Sequence, residues 1–287
     1  MYAQYVIDQK KIDSLTNHAC YIQYGEKQSR SKSKYKDSIL EKVKSYLPKK
    51  GRNLDMNEIN NHMFPIKNNE FDIFISHSHN DDEKVKALVG FLEKEFNLKC
   101  FVDSWEWGHY SQLLYHIDNI YCKKRNGYYD YKTRNITTAL LQISLVVSLQ
   151  KIMDDIECAI FLKTDNSIIE NINGIGTDTS KKATIHTRSV WIYAENMAMQ
   201  LLKTNKPKRK KISVEANLAE DSAYGSRYIN PLPFNAFFNM NLKNIEEIDF
   251  SFLNRMRDCF RNSPSKTKYD FLDTLYAEKP EGVRAKK

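Results

Sequence analysis

A chain of 287 residues, 41% hydrophobic and 28% charged with nine glycines and seven prolines, holds enough for one sizeable core plus an appendage and excludes the fibrous and disordered classes. Its formal charge of +8 is concentrated, because ten Lys or Arg face only three acids between Tyr24 and Leu54, and a second basic run covers Lys203–Lys211. Five scattered cysteines without a Cys-x-x-Cys pair argue against a disulfide or zinc framework, no apolar run of roughly eighteen residues predicts a membrane span, and Met1–His18 lacks the secretory pattern, so a reduced cytoplasmic protein is expected.

Residues 1–68 read as a basic, partly helical N-terminal extension whose one clear element is a helix near Asp37–Leu47, with Ile39, Leu40, Val43, Tyr46 and Leu47 on one stripe. A solvated arm accounts for its charge better than a nucleic-acid surface, since aromatic residues do not interleave with the basic ones. From Phe71 the texture changes. Phe71–Ser76 is a short β-prone run, followed by a polar turn and a helix to about Phe96 that Asp81 or Asp82 can cap. Lys99–Asp103 is a second strand, Ser111–Tyr121 a helix in an aromatic-rich stretch, and Asn135–Asp154 a long, largely buried helix. Glu157–Thr164 is a third strand, a Gly-, Asn- and Thr-rich loop follows, and Ser189 caps a helix to about Leu202. Lys210–Ala216 is a fourth strand candidate, Ile245–Leu253 a fifth or a helical turn, and Ser265–Glu278 a closing helix.

Strands alternating with helices predict an α/β fold with a parallel sheet and helices on both faces. Sites in such sheets form at the carboxyl ends of the strands. The turn at His77, the residue Asp103 and the helix after Ser189 all leave those ends. On that helix Glu195 follows Trp191 by four residues, so both project from one side, an acid on a face that core packing would keep apolar. His77 and His79 lack a nearby third ligand, so no metal site is expected. Asn173–Gly176 fits neither the dinucleotide nor the P-loop fingerprint.

The order Phe71–Asp82 (FDIFISHSHNDD), a helix, Cys100–Gly108 (CFVDSWEWG), a strand, then Ser189–Glu195 (SVWIYAE) resembles that of Toll/interleukin-1 receptor (TIR) domains, bacterial ones above all, over about Phe71–Leu202. The resemblance implies a flavodoxin-like TIR domain over residues 69–287, the tail included. It also implies cleavage of the nicotinamide–ribose bond of NAD, with Glu195 catalytic and Trp191 as an apolar wall. His77, Ser78, Asp103 and Trp105 would border the substrate. NAD is then a substrate and no cofactor is implied. By the same resemblance the chain serves antiviral defence of the Thoeris type, answering a phage-derived trigger and making an ADP-ribose-derived messenger for a separate effector protein. A homo-oligomer fits that picture, and neither a membrane nor nucleic acid is an expected partner. The alternative is a TIR module that only binds other proteins, for which a catalytic acid would be superfluous. A phosphoacceptor receiver is disfavoured, because Asp81 and Asp82 lie several residues past the first strand.

Overall fold

The computed structural model describes residues 1–16, 18–47, 54–65, 70–107, 110–175, 178–202, 205, 207, 238–242, 245–263 and 267–278. Five strands form a parallel sheet: β1 (Ala3–Asp8), β2 (Ile73–Ser76), β3 (Cys100–Phe101), β4 (Cys158–Lys163) and, near the C-terminus, β8 (Glu246–Ile248), in the order β3-β2-β4-β1-β8. The α/β class and the parallel sheet are as the alternation of strands and helices predicted. The role of the first residues is not. β1 lies between β4 and β8, aligning Ala3 with Cys158 and Tyr5 with Glu246, so the boundary expected at residue 69 cuts through the sheet. Every β1 residue but Asp8 is buried, Gln4 included, as suits an inner parallel strand covered on both faces.

Helices α1 (Gln9–Thr16), α2 (Ala19–Tyr46) and α3 (Met56–Met63) complete the supposed extension. α2 is far longer than the expected Asp37–Leu47 segment, and its N-terminal half crosses α4 (Asp82–Phe96) at close range. A Cβ on Gly25 would lie 2.1 Å from the Lys86 carbonyl oxygen, and one on Gly90 would lie 2.0 Å from that of Tyr21. Both positions therefore need glycine for the backbones to approach. Farther along α2, Lys32 pairs with Glu106 and donates to the Cys100 carbonyl at 3.4 Å, so the first helices hold the turn after β3. That turn is α5 (Asp103–Glu106), followed by α6 (Tyr110–Tyr121) and α7 (Tyr131–Asp155).

The pleat of β2 sorts the core into two layers. Ile73 and Ile75 pack with Val85, Leu88 and Leu92 of α4, with Ile12 of α1, and with Phe252 and Phe271. The last two belong to α9 (Phe250–Asn262) and α10 (Lys268–Glu278). Phe74 faces the other way, toward Leu149, Ile152 and Met153 of α7 and Ile192 and Met199 of α8 (Val190–Leu201). Ile245–Leu253, expected as strand or helix, supplies both β8 and the start of α9, where the Asp249 side chain caps the helix.

Two further expectations are corrected. The loop after β4 contains an antiparallel hairpin, β5 (Ile169–Ile175) and β6 (Asp178–Thr187), extended by β7 (Phe238–Asn239). And α7, read as largely buried, exposes Ile136, Leu140, Ile143 and Val147. By length and hydropathy it is the one helix among the described residues able to cross a membrane, yet the fold uses its other side to cover the sheet. The strand candidate Lys210–Ala216 lies outside the described residues.

Candidate active site

The chain leaves β2 on one face through α4 to reach β3, and enters β4 on the other face through α7. The carboxyl ends of β2 and β4 thus flank a point where connections diverge, the place where open parallel sheets form their crevices. Ser76 ends β2 there, beside Phe161 of β4. Its Oγ donates to Oε2 of Glu195 at 2.5 Å.

Glu195 reaches this point because α8 starts where predicted. The Ser189 side chain accepts from the backbone N–H of Ile192 at 3.3 Å, satisfying one free donor of the first turn. Ile192, Ala198 and Met199 seat the helix on the sheet, which turns Glu195 inward. The carboxyl is buried, and burial raises its proton affinity well above the ordinary carboxylic range. The nearby charge of Asp103 pushes the same way, while the Ser76 hydroxyl opposes it. Two acids thus lie near enough at the carboxyl ends of the strands for one to feel the other's charge. Trp191, one turn earlier, is half-buried, with its ring edge-on to that of Tyr110 at 5.8 Å.

The other expected residues divide. His77 is buried beside the pair, Nδ1 3.3 Å from the Ile75 carbonyl and Nε2 3.4 Å from Ser104 Oγ. Burial depresses its pKa, with Asp103 opposing, so the ring is neutral near pH 7 and can exchange a hydrogen bond with Ser104. Asp103 opens α5, its Oδ1 accepting from the Ser104 N–H at 2.6 Å. Ser78 instead caps the short turn at His79–Asp81 by accepting from the Asn80 N–H. Trp105 does not line the site: it is 3% exposed and packs in the α4 layer, on the opposite side of the sheet from α8. Asp81 caps nothing by its side chain. It accepts from Thr164 Oγ1 at 2.5 Å and from Asn166 Nδ2 at 2.7 Å, tying the turn after β2 to the end of β4. Among the described residues no cluster of three or more metal-ligating side chains occurs.

The sequence reading passed over Ser76 and Ser104 as site residues. For Ser76 a signal existed, since a hydroxyl closing an apolar strand beside His77 sits at the productive end of the sheet. The partner Glu195 lies 119 residues away and no local pattern names it. Searches of family models, curated proteins and solved structures found none that matches this chain.

Proposed function

We propose that this chain is a TIR-like enzyme that cleaves the nicotinamide–ribosyl bond of NAD, with Glu195 as its catalytic carboxylate. The observation that carries the proposal is the meeting of Glu195, Ser76 and Asp103 at the divergence point, with Trp191 one turn away. These are the positions where the sequence resembles enzymatic TIR domains.

The geometry suits a cationic substrate. A buried carboxyl whose charge is held off by burial and a neighbouring acid gains most from a positive partner. The pyridinium ribosyl group of NAD supplies one, so its arrival would favour loss of the Glu195 proton. When the ribosyl C–N bond breaks, its electron pair leaves with neutral nicotinamide and the cation shifts to the ribosyl carbon, where a fixed carboxylate stabilises it. Water, or a nucleophile within the substrate, then bonds to that carbon and loses a proton. For His77, buried with both ring nitrogens engaged, to reach a ribose or phosphate oxygen, Nε2 would have to give up Ser104.

The sheet differs from a flavodoxin-like order in one respect. The segment β3-β2-β4 reproduces its 2-1-3 half, but the fourth place is taken by the N-terminal β1 and not by a strand following β4. The site residues all come from the half that agrees. Incubating the purified chain with NAD and resolving products by mass spectrometry tests the proposal. Release of nicotinamide with linear, cyclic or conjugated ADP-ribose is the expected result, and intact NAD with the wild-type chain at high concentration would overturn it.

A further inference from the structure

Helix α7 is apolar on the wrong side. Its buried row includes Thr137 and Ser148, whereas Ile136, Leu140, Ile143 and Val147 are 67%, 38%, 64% and 41% exposed. Spacings of four, three and four residues place these four within one narrow arc, a straight aliphatic ridge about 16 Å long at 1.5 Å per residue. No charged residue interrupts the chain between Arg134 and Lys151. Exposed aliphatic rows of this kind mark a surface that something covers.

The ridge ends in a basic tip. Lys123 and Tyr129 pair across a projecting turn whose apex, Gly127, has φ of +85°. The tip and first helical turn carry Lys123, Lys124, Arg125, Lys132 and Arg134, all exposed, together with exposed Tyr128 and Tyr131. Only two acids lie in this region, and each already faces a cation: Asp130 pairs with Lys124 at 2.8 Å and Asp118 with Arg134 at 3.0 Å. Lys132 precedes Ile136 by four residues and so stands on the ridge side of the helix.

We propose that α7 and the tip before it form a docking surface for an anionic phospholipid bilayer, with the helix lying on the membrane and not spanning it. One occupant then accounts for both features. The aliphatic ridge enters the headgroup boundary, the tyrosines take the interface, and the basic tip meets lipid phosphate. A second copy of the chain could cover the ridge without using the basic tip, and a nucleic acid would use the tip and leave the ridge wet. Spanning is excluded by packing, because Leu141, Leu149, Ile152 and Met153 are committed to the sheet. The inference replaces the expectation of no membrane partner, and it does not depend on the chemistry at Glu195.

The test is co-sedimentation of the full chain with phosphatidylcholine vesicles, plain or carrying about a third phosphatidylglycerol. Sedimentation with the anionic vesicles alone, weakened roughly tenfold or more both by Ile136→Ser with Ile143→Ser and by Arg125→Glu with Lys132→Glu, is the expected result. Melting curves of both variants serve as a fold control, and Ile143→Ser alone takes the place of the serine pair if that pair melts early. Failure to sediment with anionic vesicles overturns the proposal. So does binding that the serine pair leaves intact in a folded chain, which would be bare electrostatics. A wild-type dimer in light scattering that the serine pair dissolves, without vesicle binding, assigns the ridge to a second copy.

Discussion

Replacing Glu195 by Gln should stabilise the protein and abolish its activity. Gln is nearly isosteric and its amide oxygen can still accept from Ser76, so the packing of α8 is kept while the titrating group is lost. The folded carboxyl holds its proton more tightly than the ordinary value of 4.5, for reasons of burial first and the Asp103 charge second. A group raised in this way contributes its full stability below about pH 4.5 and loses it as pH climbs to the folded value. Within that window wild type should lose about 1.4 kcal/mol per pH unit relative to the Gln variant. Each kcal/mol corresponds to about 2–4 °C in melting temperature by the scaling of somewhat smaller domains. Thermal melts of both proteins between about pH 4 and pH 8 give the comparison directly. Their melting temperatures should coincide at the acid end and separate steadily above it, with the variant higher. NAD turnover should fall by a hundredfold or more, about 3 kcal/mol, as for other preorganised electrostatic groups. A gap that does not widen with pH would refute the burial argument, and retained turnover would refute the catalytic assignment.

Gly90→Ala should cost about 1–3 kcal/mol or more, because its methyl would meet the Tyr21 carbonyl and not a side chain that can move; denaturant titration followed by circular dichroism measures it. A chain beginning near Asn69 should fail to fold cooperatively, since it lacks β1 from the middle of the sheet; a sharp melt from that truncation would show that β4 and β8 can close without it. Asp103→Asn removes the charge that helps keep Glu195 protonated, so the pH range over which stability falls should end earlier and the acid limb of NAD turnover should move to lower pH. An unmoved limb in a folded variant would mean that Asp103 does not act on Glu195.

Elements with a local signature were legible in the sequence. β2, α4, β4 and α8 each combine an apolar run or stripe with a capping or turn residue, and each occurs within a few residues of its expected place. β1 was not legible, because Ala3–Asp8 is short and becomes a strand only through β4 and β8, more than 150 residues away. The length of α2 was hidden by its Lys- and Ser-rich middle and by Gly25, which looks like a helix breaker and serves as a contact point. The β5–β6 hairpin is rich in loop residues, so pairing and not composition makes it a sheet. For α7, an almost uncharged sequence reads as buried on all sides, and only the structure shows which row is left out. That Glu195 turns inward was legible from its spacing to Trp191. Trp105 was misplaced because its neighbour positions could not tell a loop mouth from a core, and the fold sends its ring to the α4 layer.

The arrangement of the sheet explains how an N-terminal strand can enter the sheet without disturbing the candidate site. Ser76 depends on β2, Asp103 on the end of β3, and Glu195 on α8 packed across Phe74 and Phe161. All three need β3, β2 and β4 in that order, with α4 and α7 on opposite faces. They do not need a particular strand beyond β4, because that strand meets β4 on the edge away from β2. β1 can therefore fill the fourth place without moving a site atom. It still bears on the site in two ways. Through α1 and α2 it leads to Lys32, whose ion pair with Glu106 fixes the turn that carries Asp103. Just past its end, the first residue of α1 meets the loop after β4, where Gln9 accepts from the Asp165 N–H at 3.1 Å. The basic N-terminal segment is thus part of the support of the site, through Lys32.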